Sequence, residues 1–125
     1  MRSVIDITDL SKEELASLME TANDIMKDPA KYAHACAGKK LATLFFEPST
    51  RTRMSFEAAM YELGGSVISM TDGATSSAAK GESVSDTAKI VSCYADIIAM
   101  RHPKEGAALV AARSASIGGR RCASR

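Results

Sequence analysis

Apolar residues recur along this chain with two different periods, and the alternation between them lays out the elements. From residue 10 to 25, Leu10, Leu15, Leu18, Met19, Ala22 and Ile25 form one stripe of a 3.6-residue helix. Thr8 or Ser11 caps it, and Ser11-Lys12-Glu13-Glu14 has the hydroxyl and third-position glutamate of a capping box. Asp28-Pro29 ends or breaks that helix, and residues 30–39 predict a short helix or turn. The apolar run Leu41 to Phe46 is short enough to be a buried strand over 40–46. The helical period returns with Met54, Phe56, Ala58, Ala59, Met60 and Leu63, and stops at Gly64-Gly65, where glycine accepts a left-handed backbone. Val67, Ile68 and Met70 predict a second strand over 66–70. Residues 71–81, rich in Ser, Thr, Ala and Gly and without periodicity, predict a long loop. Ser83-Val84-Ser85-Asp86 opens a helix carrying Val84, Ala88, Ile90, Val91 and Tyr94. Ile97, Ile98 and Met100 predict a third strand over 96–101, and residues 105–115 a last helix after a turn at Pro103.

One helix followed by three strand–helix units predicts an α/β fold: a three-layer αβα arrangement with a mostly parallel sheet and right-handed crossovers. Ligands of such sheets bind beyond the carboxyl ends of the strands. Residues 47–53, the 71–81 loop and Arg101 all fall at those ends.

The segment Phe45-Phe46-Glu47-Pro48-Ser49-Thr50-Arg51-Thr52-Arg53 carries the candidate chemistry. It passes from a strand directly into a helix, whose first N–H groups have no internal partner and whose dipole is positive there. Three hydroxyls and two guanidinium groups join those donors, which is what a small, multiply charged anion such as phosphate requires. Ser49-Thr50 is also what an ordinary helix cap looks like, and Arg51 and Arg53 resemble ordinary surface charges. Their place directly behind a buried strand favours the anion site.

Composition removes several alternatives. A chain of 125 residues holds one domain with a real core. No apolar run approaches the ~20 residues of a membrane span. Met1-Arg2-Ser3-Val4-Ile5-Asp6 lacks the long apolar segment of a secretory leader, so a cytoplasmic location without a membrane partner is expected. Cys36, Cys93 and Cys122 form no CxxC, and the two histidines are far apart, which argues against a zinc site. Cys36 and Cys93 are expected to be reduced, with Cys93 in the core. The net charge of +1 conceals a basic end: residues 101–125 hold six basic side chains against Glu105 alone. Without aromatics or a basic helical face, this does not make a nucleic-acid surface.

Glu47-Pro48-Ser49-Thr50-Arg51-Thr52-Arg53, followed by Ser55-Phe56-Glu57 and Leu63-Gly64-Gly65, resembles the carbamoyltransferases. The likeness continues through Lys80-Gly81-Glu82-Ser83, Asp86-Thr87, Tyr94-Ala95-Asp96 and Met100-Arg101-His102-Pro103, and covers residues 4–117. Pro48, Lys80 before Gly81-Glu82, and Arg101-His102-Pro103 point to the aspartate rather than the ornithine branch. The resemblance implies transfer of the carbamoyl group of carbamoyl phosphate to L-aspartate, giving N-carbamoyl-L-aspartate and phosphate in pyrimidine synthesis. It implies no metal and no organic cofactor.

Residue by residue, the resemblance gives Ser49, Thr50, Arg51 and Thr52 to the phosphate. Arg101 and Thr52 reach the carbonyl oxygen, Arg101 also touches phosphate, and Arg51 stabilises charge as phosphate leaves. Ser76 and Lys80 match a loop that enters the neighbouring subunit's site, so Lys80 joins Arg51, Thr52 and Arg101 as catalytic. A homotrimer is implied, with regulatory chains as further partners. Glu47 matches a residue that pairs with second-domain arginines on closure, and is expected to be unpaired here. For Arg53, a structural ion pair and direct ligand contact both stay open.

After Ile117 the family pattern continues with an apolar strand and a His-Pro-Thr-Gln segment, whereas this chain has Gly118-Gly119-Arg120-Arg121-Cys122-Ala123-Ser124-Arg125. The expectation is an incomplete carbamoyl-phosphate domain over 1–117, an atypical tail over 118–125, no aspartate-binding domain, and little or no turnover by this chain alone. His102 reads as a loop residue, not a substitute for the downstream histidine. Two other readings stay open: a non-catalytic phosphate-binding or assembly fragment, and the ornithine branch.

Overall fold

The computed structural model describes residues 3–71 and 81–115. Three parallel strands, β1 (Lys40–Phe45), β2 (Ser66–Thr71) and β3 (Ile97–Arg101), form a sheet in the order β2-β1-β3. Among the described residues four helices accompany them: α1 (Lys12–Lys27), α2 (Thr50–Glu62), α3 (Val84–Ser92) and α4 (Ala107–Ala115). The α/β architecture and every strand anticipated from the sequence are present, with ends shifted by a residue or so. Single turns of 3-10 helix at Ile7–Asp9 and Pro29–Tyr32 flank α1.

The sheet is centred on β1, whose residues Leu41 to Phe45 are all buried, as expected for a strand with neighbours on both sides and helices on both faces. Ala42, Leu44 and Ile98 pack with Ala95 on one face, joined by Val91 of α3 and by Phe46, Met70 and Met100. Thr43 points to the opposite face and meets α2 through Glu57. α3 and α4 pack on each other, using Thr87, Ala88 and Ser92 of one and Ala107, Ala111, Ser114 and Ala115 of the other. The small residues at this contact let the two helices approach closely.

The connection β1-α2-β2 places α2 on one face, and β2-α3-β3 then returns across β1 to its far side on the other face. The chain leaving β1 therefore turns to one face and the chain leaving β3 to the other, where α4 joins α3, and the crevice between these two departures is the topological switch point where such sheets take ligands. Register fixes that edge: Phe45 is level with both Thr71 and Arg101. The Phe46 N–H donates to the Arg101 carbonyl at 2.9 Å, extending the pairing one residue beyond the strand.

Local signals explain the helix ends. Ser11 and Glu14 make the full capping box, with Ser11 Oγ accepting from the Glu14 N–H at 3.1 Å and Glu14 Oε2 from the Ser11 N–H at 2.8 Å. Ser83 caps α3 by accepting from the Asp86 N–H. Gly64 leaves α2 at φ 80°, and a Cβ there would stand 2.3 Å from the Ala33 carbonyl oxygen. Only glycine suits both the backbone and that approach.

Three expectations change. Cys93 is exposed rather than in the core: it is the first residue past α3, beside the stripe of Thr87, Ala88 and Ser92 that the helix buries. The apolar stripe of α1 is uncovered, with no buried residue in the helix. α2 does not use Met54 and Phe56 for the core: both are exposed. It turns Arg53, Glu57 and Met60, spaced four and three apart, toward the sheet instead.

Candidate functional site

The site stands at the carboxyl edge of β1 and β3. Arg101, the last residue of β3, reaches across the crevice: its Nε donates to Glu47 Oε2 at 3.0 Å and its Nη1 to Ser49 Oγ at 2.9 Å. The expectation that Glu47 is unpaired is therefore wrong. The register that sets Phe45 level with Arg101 leaves Glu47 two residues on, within reach of the guanidinium. Both side chains remain well exposed, at 48% for Arg101 and 38% for Glu47, so the pair is open to exchange with another anion.

Ser49 occupies the N-cap position of α2 but makes no side-chain cap bond, and its hydroxyl instead accepts from Arg101. The first intrahelical bond comes from the Arg53 N–H to the Ser49 carbonyl at 3.0 Å. The N–H groups of Thr50, Arg51 and Thr52 precede it and are left as donors at the positive end of the helix. Thr50, Arg51 and Thr52 are exposed, and Arg51 and Thr52 line an open groove with Ser55, Phe56 and Ala59. Five of the anticipated residues, Ser49, Thr50, Arg51, Thr52 and Arg101, thus lie at one edge with Glu47. Ser76 and Lys80, and the tail over 118–125, lie outside the described residues.

Arg53 points elsewhere. Its Nη1 lies 3.4 Å from Ser69 Oγ and its Nε 3.9 Å from the Glu57 carboxylate, so in this structure it makes the structural contact. Glu57 also accepts from the fully buried Thr43 hydroxyl at 2.8 Å, and Thr43 and Ser69 hydroxyls lie 3.2 Å apart. Burial pushes the Glu57 carboxyl up, but hydrogen bonds from Ser69 and Thr43 and the Arg53 charge together outweigh it and hold the group below the usual glutamate range. The sequence reading missed this network. Its traces were a threonine in an otherwise apolar strand and an Arg–Glu pair four apart.

His102 follows Arg101 and tilts against Phe46, ring centroids 4.9 Å apart. Its Nδ1 accepts the Lys104 N–H at 3.0 Å, so in this arrangement any ring proton is on Nε2. Among the described residues, no three His, Cys, Asp or Glu side chains are grouped to hold a metal, and no helix is long and apolar enough to cross a membrane.

This geometry can be set beside known proteins. The model of the aspartate/ornithine carbamoyltransferase carbamoyl-P binding domain matches residues 2–119. The chain belongs to that family. It is 59% identical over 117 residues to the aspartate carbamoyltransferase catalytic subunit of Lachnoclostridium phytofermentans, covering 94% of this chain and 38% of the relative. The corresponding subunit of Clostridium botulinum is 57% identical over 116 residues, with 93% and 38% covered. Among solved structures, the catalytic subunit of M. jannaschii aspartate transcarbamoylase superposes with a TM-score of 0.83 at 46% identity, over 98% of this chain and 40% of that one. Aspartate transcarbamoylase from Trypanosoma cruzi in complex with carbamoyl phosphate gives 0.83 at 31% identity, over 98% and 39%. These relatives are of the aspartate branch, not the ornithine branch. The chain spans about 38% of the length of the curated relatives it matches.

Proposed function

We propose that this chain provides the carbamoyl-phosphate half of an aspartate carbamoyltransferase site. One observation carries the reading: the Ser49 hydroxyl is drawn to Arg101 instead of capping α2, so the Thr50, Arg51 and Thr52 N–H groups face the ligand edge uncapped. A phosphate dianion at that helix end is met by aligned N–H donors, by the Thr50 and Thr52 hydroxyls and by Arg51. Arg101, anchored between Glu47 and Ser49, lies on the β3 side of the same crevice and is the donor for the carbonyl oxygen. Charge develops on that oxygen as an amine attacks, and preorganised donors there lower the barrier most. Arg51 offsets the charge growing on the departing phosphate.

Other parts of the reading rest on the resemblance and on the names of the relatives. L-aspartate is the acceptor, as in the Trypanosoma cruzi enzyme described in complex with carbamoyl phosphate and aspartate. Ser76 and Lys80 come from a neighbouring copy in a homotrimer, regulatory chains are further partners, and Glu47 exchanges Arg101 for second-domain arginines on closure. The carbamoyl-phosphate domain runs over 1–117, and the protein works in the cytosol.

Equilibrium dialysis with carbamoyl phosphate, competed by inorganic phosphate, tests the binding site. Saturable binding that inorganic phosphate displaces supports it, and no binding removes it. A colorimetric assay for carbamoyl-aspartate on the same 125 residues is expected to show no turnover, because they span about 38% of the length of the relatives. Turnover abolished by Arg101→Ala would show that the chain is a complete catalyst.

A further inference from the structure

We propose that Glu57 is a positioning residue for the anion site: through Thr43, Ser69 and Arg53 it fixes the angle at which the first turn of α2 meets the ends of β1 and β2. The inference rests on the phosphate-binding reading of that turn, and deepens it.

The network is unusual for its place. Thr43 is the middle of the central strand and wholly inaccessible, a position where a parallel sheet buried on both faces ordinarily carries an aliphatic residue. Its hydroxyl goes to Glu57 Oε1 at 2.8 Å, on the second turn of α2. Ser69 is level with Thr43 across the β1–β2 pairing and presents its hydroxyl to the same cluster. Arg53, one turn nearer the helix start, closes the cluster from the ligand side through Ser69 and Glu57. An apolar contact lets a helix slide by a few tenths of an ångström, whereas the 2.8 Å Thr43–Glu57 bond, flanked by the longer Thr43–Ser69 and Arg53–Ser69 contacts, resists that movement.

Two consequences follow at the site. α2 is held at Arg53 and Glu57, three and seven residues after Thr50, so the donors of Thr50–Thr52 are kept at one distance from the crevice. Arg53 is also kept out of the crevice, so that Arg51, two residues earlier and on another side of the helix, is the cation the turn presents. No described residue gives the Arg51 guanidinium a hydrogen bond or ion pair, whereas Arg53 is committed to the sheet. Glu57 thereby assigns the two arginines of Arg51-Thr52-Arg53 to different tasks.

The test is calorimetric titration of the 125-residue chain with inorganic phosphate, well below its melting temperature, comparing the parent with Arg51→Ala, Glu57→Ala, Glu57→Gln and Ser69→Ala. Loss of an outer partner typically weakens a charged site by about tenfold or more where the ligands are metal-bound, and about tenfold is expected here for Glu57→Ala. Glu57→Gln keeps an oxygen for Thr43 and is expected to recover part of the loss, which a merely destabilised fold would not reproduce. Amide chemical shifts of Thr50–Arg53 without ligand give a second readout, expected to move in Glu57→Ala while those of β3 do not. If Arg51→Ala loses phosphate while every Glu57 and Ser69 variant binds like the parent with unshifted amides, the positioning role is overturned and the anion site stands. If the parent itself binds no phosphate, the site reading fails first and the proposal falls with it. Should Glu57→Ala not fold, Glu57→Gln and Ser69→Ala decide by the same two readouts.

Discussion

Arg101 Nη1 lies 2.9 Å from Ser49 Oγ, and this single bond joins the end of β3 to the start of α2 across the crevice between β1 and β3. It leaves the helix end uncapped, and it holds the guanidinium where a ligand on that helix end would meet it. The side-chain cap bond is absent at Ser49, and the donors it would have engaged are open to the anion proposed there.

Ser49→Ala separates those two effects. Replacing a capping serine by alanine ordinarily costs about 0.5–2 kcal/mol. Ser49 caps nothing here, so the free energy of unfolding is expected to change little, within about 0.5 kcal/mol. Phosphate affinity is expected to fall about tenfold, as Arg101 loses an anchor and the anion a hydroxyl. Denaturant melts and calorimetry on the same preparation check both. A large loss of stability with unchanged affinity would make Ser49 an ordinary cap.

Glu57 links the fold to acid. Its carboxyl is held below the usual range in the folded chain, so it stabilises the fold above the unfolded value, near pH 4.3, and that contribution is lost as pH falls through the folded value. Denaturant melts between pH 3 and 7 are expected to show a decline below about pH 4.3, and Glu57→Gln is expected to reduce its slope. Identical slopes would place the acid sensitivity in other carboxylates.

Gly64→Ala is expected to destabilise by more than the ~1–2 kcal/mol of a left-handed alanine, because the added methyl meets the Ala33 backbone oxygen at 2.3 Å. Gly65→Ala meets the flexible end of the Met60 side chain instead, and is expected to cost less. Thermal melts of the two variants give the order, and the reverse order would contradict the geometry.

Lys80 is tested by mixing. If neighbouring copies share sites, Lys80→Ala chains and Arg51→Ala chains, each weak in phosphate binding alone, are expected to regain a minority of parent-like sites when co-refolded. Light scattering reports the trimers, and capture on a tag carried by one of the two chains verifies that they are mixed. Verified trimers without recovered binding would assign Lys80 no part in a neighbour's site.

The strands, the order of elements and the Glu47–Arg53 segment were legible because each is written locally: an apolar run, a period, a cap, a glycine stop. The register of Phe45 with Arg101 is not local, and the Glu47–Arg101 pair that follows from it was missed. The Arg53–Glu57–Thr43–Ser69 cluster was hidden for a related reason. A polar helix face reads as solvated until a buried hydroxyl is known to lie opposite. Cys93 shows the converse error, an apolar residue one step off the buried stripe.

Calorimetric titration of carbamoyl phosphate into the parent chain, Arg51→Ala and Arg101→Ala tests the assignment of the crevice most directly. Each arginine contributes charged hydrogen bonds worth about 1.5–3 kcal/mol, so each variant is expected to bind at least about tenfold more weakly while melting near the parent temperature. Equal heats and affinities for the parent and both variants would contradict an anion site between the start of α2 and the end of β3.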